Sequence, residues 1–241
     1  MNWRWVTAAL SIGLCAAPSA WARGACLPST TPIRIDFQTR SPDPHYDNSL
    51  NVTAIRNLFR ARGQAIAGPH TQALGVTFFT PAFSIDVNTR VVRSGDGYCV
   101  LPDAISAEFG FRSLDVYIAS EYVPGSCEYR TVLDHENQHV AINRAALKDS
   151  APQIRAALEV LLAYQAPVFD RDPQRATRAI ADDLSHKMDA TLEIFRKQLD
   201  DRNGRIDTDA NYAATAELCR NWDRGNVWPQ QENRRQPDKK R

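Results

Sequence analysis

Ser126-Cys127-Glu128-Tyr129-Arg130-Thr131-Val132-Leu133-Asp134-His135-Glu136-Asn137-Gln138-His139-Val140 is the run from which both fold and chemistry are read. Ser126 is a natural helix N-cap, and Glu128 places a negative charge in the first turn, where the helix dipole favours it. The periodicity predicts a helix from here to about Lys148. At 100° per residue, Tyr129, Val132, Leu133, His135, Glu136, His139, Val140, Ile142, Asn143, Ala146 and Leu147 share one half of the wheel. Asp134, Asn137, Gln138, Arg144 and Lys148 take the other half. H-E-x-x-H therefore lies on the face that should be inward. His135 and His139 are one turn apart, so two imidazoles can reach one cation. Glu136 lies between them, where a carboxylate can take a proton from a metal-bound water. Two histidines and a glutamate on a buried face are costly without a partner; a cation is one remedy and a hydrogen-bonded polar cluster is the other.

Downstream the pattern stays helical. Ser150-Ala151-Pro152-Gln153 reads as the start of a second helix, running to about Gln165 and burying Ile154, Ala157, Leu158 and Leu161. A third helix is expected from Pro173 to about Arg202, with Ile180, Leu184, Met188, Leu192, Phe195 and Leu199 inward. Asn203-Gly204 ends it, and Thr208 caps a last helix carrying Tyr212, Ala216, Cys219 and Trp222 on one side.

Upstream the pattern is strand-like. Pro32–Phe37 alternates apolar and charged residues. Asn51–Gly63 reads as a short helix and Gly68–His70 as a turn. Leu74–Phe79 and Phe83–Val92 read as strands interrupted by Pro81, and Ser94-Gly95-Asp96-Gly97 as a turn. Ala104–Phe111 and Leu114–Tyr122 read as two more strands around Arg112-Ser113. The expected fold class is α+β: a small, mainly antiparallel sheet packed on a C-terminal helical half that carries the H-E-x-x-H helix.

The ends and the composition bound the setting. Met1–Arg4 is basic, Trp5–Ala17 is mostly apolar, and Ala20-Trp21-Ala22 fits a cleavage site, so residues 1–22 read as a signal peptide. Residues 23–223 are expected to form one domain, and residues 224–241, with six basic and two acidic side chains, a disordered basic tail. Without Arg4 the chain has 28 basic and 28 acidic residues, so no general attraction to nucleic acid follows. No later segment is apolar enough to span a bilayer, which predicts an exported protein, periplasmic or secreted. Of the five cysteines, Cys15 lies in the leader. Cys26, Cys99, Cys127 and Cys219 predict two disulfides. Cys99 and Cys127 flank Ser113 at equal distance, so a hairpin there would pair them and leave Cys26 with Cys219.

With these residues in place, the chain resembles the zincin metallopeptidases. Ser126–Tyr129 followed by His135–Val140 is also similar to a group of bacterial exported proteins predicted to be zinc proteases. The resemblance implies Zn2+ held by His135 and His139, Glu136 as general base, and an edge strand before the helix that aligns the substrate; Leu114–Tyr122 stands where that strand should be. No H-E-x-x-H-x-x-G-x-x-H continues the motif, so the metzincin pattern is absent. Glu159 follows His139 at the spacing of the thermolysin-like third ligand, and a turn near Ser150 would fold it back beside Val140. Its place one turn after Arg155 equally suits a solvated ion pair. His186 is the rival ligand, but it lies opposite Met188 and so faces solvent. Tyr129 and Asn143 share the inward face and could orient a ligand. The expected function is an exported zinc-dependent hydrolase of peptide or related amide bonds, with a peptide, protein or peptidoglycan-stem substrate. The alternative is a non-catalytic envelope protein with a structural metal or a partner-binding role.

Overall fold

The computed structural model describes residues 26–62, 74–220 and 222. The leader at 1–22, the turn at Gly68–His70 and the tail at 224–241 lie outside the described residues. In chain order the elements are β1 (Arg34–Arg40), β2 (His45–Asp47), α1 (Val52–Ala61), β3 (Gly75–Ser94), β4 (Gly97–Ile118), α2 (Cys127–Ala163), β5 (Val168–Asp170), α3 (Pro173–Gly204) and α4 (Asp209–Glu217).

β4 is the strand that every other strand pairs with. Along one edge it carries β3, antiparallel, from Ser94↔Gly97 to Gly75↔Ile118. Gly95, with φ +59°, makes the tight turn between them at no steric cost. Along its other edge three short strands follow one another: β5 on residues 98–100, β1 on 104–110 and β2 on 115–117. β5 is antiparallel to β4, whereas β1 and β2 are both parallel to it. The sheet is therefore mixed rather than mainly antiparallel. β1 and β2 share one offset, Arg34↔Ala104 and His45↔Asp115, so they are one extended run interrupted by residues 41–44.

Two bulges explain why the pattern of β4 misleads. Pro81 faces Phe111 while Thr80 faces Ser113, which leaves Arg112 as the extra residue; likewise Asn88 faces Ala104 and Thr89 faces Pro102, leaving Asp103. A bulge bends the strand and inverts its side-chain parity. Ile105, Ala107, Phe109 and Phe111 point into the core before Arg112, and Leu114 and Val116 after it. The change of phase at Arg112-Ser113 is thus a bulge within one strand, not a hairpin between two. On the other edge, β5 gives way to β1 beside Asp103, and β1 to β2 beside Arg112.

The same correction resolves the cysteines. Cys99 is near the start of β4 and Cys127 lies beyond its end, so a bond between them would need the hairpin that is absent. The disulfides are Cys26–Cys99 and Cys127–Cys219. The Leu114–Tyr122 stretch is not an edge strand either, since Asp115–Tyr117 are paired on both sides, by β3 and β2.

The helical half follows its expected stripes with one difference. Ser126 caps α2 by accepting from Tyr129 N, Asp172 caps α3, and Thr208 caps α4. Ile180, Leu184, Met188, Leu192, Phe195 and Leu199 are all buried. The break expected at Ser150 does not occur: α2 runs unbroken for 37 residues with Pro152 inside it. Losing one backbone hydrogen bond to a mid-helix proline costs about 3 kcal/mol. Leu147, Ile154, Leu158 and Leu162, all buried against the sheet and α3, recover roughly 1.5–3 kcal/mol each by burial. Ser150 is itself buried and donates to Gln198 Oε1 on α3 at 3.4 Å instead of capping a new helix. α3 runs antiparallel to α2, as Arg202–Asp149 and Asn203–His139 contacts show. Leu184 is fully buried between these layers, so Leu184→Ala should cost about 2–5 kcal/mol, read as a lower urea midpoint at unchanged m-value.

Candidate metal centre

Helical spacing puts His135, Glu136 and His139 on the buried face of α2, with 8%, 4% and 8% exposure. The third partner comes from the loop between α3 and α4. Asp207 Oδ1 lies 3.2 Å from His135 Nε2 and 3.1 Å from His139 Nε2, and the two Nε2 atoms are 3.3 Å apart. Three donors held by one cation at 2.0–2.1 Å in tetrahedral geometry would stand about 3.3 Å from one another. The triangle therefore has the spacing of a group that could hold one small divalent metal ion, and two imidazoles with one carboxylate are a donor set for first-row metals.

Two of the three ligands have a hydrogen-bonded support. His139 Nδ1–H donates to Asn203 Oδ1 at 2.8 Å, a bond that leaves Nε2 facing the triangle. Tyr212 donates its hydroxyl to Asp207 Oδ1 at 2.8 Å, and its ring lies 5.5 Å from that of His135. Burial makes the Tyr212 hydroxyl reluctant to ionise, and the Asp207 charge adds to that, so it remains a donor. Asp207 is held well below the usual carboxylate range: burial opposes this, but hydrogen bonds from His135 and His139 prevail. Its side chain keeps 38% exposure, so this corner of the triangle faces solvent.

Glu136 is fixed from the sheet. Thr77 on β3 donates to Glu136 Oε2 at 2.8 Å. Gly75, two residues earlier, allows the strand to come this close: a Cβ there would lie 2.8 Å from Glu136 Oε1 and 2.6 Å from Val132 Cγ1. Burial pushes the Glu136 carboxyl up, with the two histidines and Thr77 pulling the other way. A carboxylate that takes a proton more readily than usual is suited to general-base work.

Glu159, the expected third ligand, and its rival His186 are elsewhere, and no other histidine joins the group among the described residues. Glu159 is exposed and accepts from Arg155 at 2.9 Å. Because α2 does not turn at Ser150, Glu159 lies 20 residues along the same rod from His139, about 30 Å away at 1.5 Å per residue. His186 is exposed on α3, its Nδ1 donating to Asp182 O. His45 is exposed on β2, and His70 lies outside the described residues. Tyr129 packs with the apolar cluster near α1, and Asn143 is fully buried beside Asn203. Sequence reasoning passed over Asp207 because it lies between a helix-ending Asn203-Gly204 and a capping Thr208, both of which explain their surroundings without it.

The pH response separates the metal-free and metal-bound proteins. Burial lowers the His139 pKa, but Asp207 and Glu136 outweigh it and raise it to about 9. A pKa raised on folding stabilises the metal-free fold fully below the ordinary value of about 6.5. That contribution is lost as the pH climbs through about 9. A cation must displace this proton, so its apparent affinity should rise about tenfold per unit toward pH 9. Thermal melts of metal-free protein and zinc titrations should thus show opposite trends between pH 7 and 9; parallel trends would exclude this assignment. No family model matches the chain, and no curated protein or solved structure matches it either.

Proposed function

We propose that the protein is a zinc-dependent hydrolase of peptide or related amide bonds, resembling the zincins in its site though not in its third-ligand spacing. The observation that carries this reading is the convergence of three donors, rather than four, beside a buried glutamate. A structural zinc site is closed by four protein ligands, whereas a catalytic one keeps a position open. Among the described residues no fourth donor joins His135, His139 and Asp207.

A zinc ion held by these three would act as a Lewis acid, acidifying water and polarising a carbonyl oxygen. Glu136 accepts the proton of the attacking water and returns it to the leaving amine; Thr77 keeps its carboxylate aimed while it does so. β3 pairs only with β4 among the described residues; an extended peptide would align beside Glu136 by adding to its outer edge at Gly75–Thr80. A peptide, a protein segment or a peptidoglycan stem would each present such a backbone. Two disulfides suit an oxidising, exported setting, and among the described residues no helix is long and apolar enough to cross a membrane.

Purified protein should carry close to one zinc. Glu136→Gln should keep that zinc and lower cleavage of an unstructured peptide library by about 10²–10⁴-fold. Asp207→Ala should weaken zinc binding, while Glu159→Ala should leave it unchanged. Full activity in the Glu136 variant, or zinc loss in the Glu159 variant alone, would sink the assignment.

A further inference from the structure

We propose that Asn143 is a positioning residue for His139, acting through Asn203; this rests on His139 being a metal ligand. Asn143 lies one turn beyond His139 on α2 and has no solvent exposure. Its Oδ1 accepts from Asn203 Nδ2 at 2.9 Å, and Leu199 O accepts from the same nitrogen at 2.8 Å. Both hydrogens of the Asn203 amide are thereby committed. The opposite end of that amide, Oδ1, is left to face His139 Nδ1 at 2.8 Å. A primary amide can rotate end for end, and only its oxygen can accept the imidazole N–H. Asn143 therefore helps decide which end His139 meets, and through it which ring nitrogen points at Asp207 and His135.

The remaining half of Asn143 supports the assignment. Its Nδ2 is buried with no hydrogen-bond partner among the described residues. A buried amide that leaves its nitrogen unpaired is retained for its oxygen, since an apolar residue of the same size would avoid the cost. The arrangement ties two helices together at the ligand itself: α2 supplies His139 and Asn143, and α3 supplies Asn203. Neither asparagine is a catalytic residue, as neither touches the reacting atoms.

The test is a double-mutant cycle on zinc affinity, with Asn143→Leu and Asn203→Asp as the two changes. A carboxylate at position 203 accepts from His139 with either oxygen and has no wrong end. Asn143→Leu should weaken zinc binding about tenfold in the otherwise native protein, the lower end of what outer-shell partners contribute, and by less than twofold in the Asn203→Asp background. The His139 Nδ1 proton, followed by nitrogen–proton correlation NMR in zinc-loaded protein, should lose its protection from solvent exchange in Asn143→Leu and retain it in Asn143→Asp, which keeps the acceptor. Native zinc affinity in a folded Asn143→Leu protein would overturn the proposal, as would an equal loss in both backgrounds, which would assign Asn143 to packing alone. Absence of zinc binding in the native protein would instead overturn the metal reading beneath it.

Discussion

Both edges of β4 are hydrogen-bonded, and the rest of the molecule is laid out from that constraint. A strand paired on two sides must supply an inward face along its whole length. β4 does so across two bulges, with Ile105, Phe109 and Phe111 on one side of Arg112 and Leu114 and Val116 on the other. The helices α2 and α3 pack on that face. β3, as the outer strand, carries Thr77 and Gly75 to the motif, so the sheet shapes the site through its edge rather than its centre.

The site itself results from two long helices lying antiparallel. α2 presents His135 and Glu136 in its third turn and His139 in its fourth. α3 returns along it and ends where Asn203 meets His139. The chain then has three residues between Asn203 and Asp207 in which to cross to the two imidazoles. Burial of three polar groups on α2 is tolerated because each has a partner: Thr77 for Glu136, Asp207 for His135, Asp207 and Asn203 for His139. A pairing of this kind does more for local geometry than for net stability, since desolvation offsets much of what the contacts return.

Local signals were legible in the sequence to the extent that one residue type has one physical use. Caps at Ser126 and Thr208, the turn at Gly95, the inward stripe of α3 and the inward motif all follow from short-range rules. Where two devices leave the same trace, the pattern was ambiguous. A change of strand phase is produced by a hairpin or by a bulge, and at Arg112 the bulge holds. Ser-x-Pro inside a helical pattern marks a new helix or a tolerated proline, and at Ser150 the packing of Leu147, Ile154 and Leu158 decides for continuity. The misplaced third ligand is a consequence of that single ambiguity. An α2 broken at Ser150 would have returned Glu159 to the histidines; the unbroken one gives the return journey to α3 and so brings Asp207.

The Cys127–Cys219 bridge also changes the statistics of assembling this centre. His135 and Asp207 are 72 residues apart along the chain. Bringing them together is a loop-closure problem whose entropy grows with the logarithm of length. The bridge joins the first residue of α2 to a residue just past α4, and the loop to be closed lies wholly inside it. Once it forms, the covalent path from His135 to Asp207 runs through the sulfurs and is about 20 residues long, which lowers the closure term by about 1 kcal/mol. The effective concentration of the carboxylate at the two imidazoles rises several-fold accordingly. α4 has no buried residue of its own, so this tether, together with Tyr212 and Trp222, keeps the acidic corner within reach. The oxidation state of two sulfurs outside the triangle thus sets how readily the triangle closes.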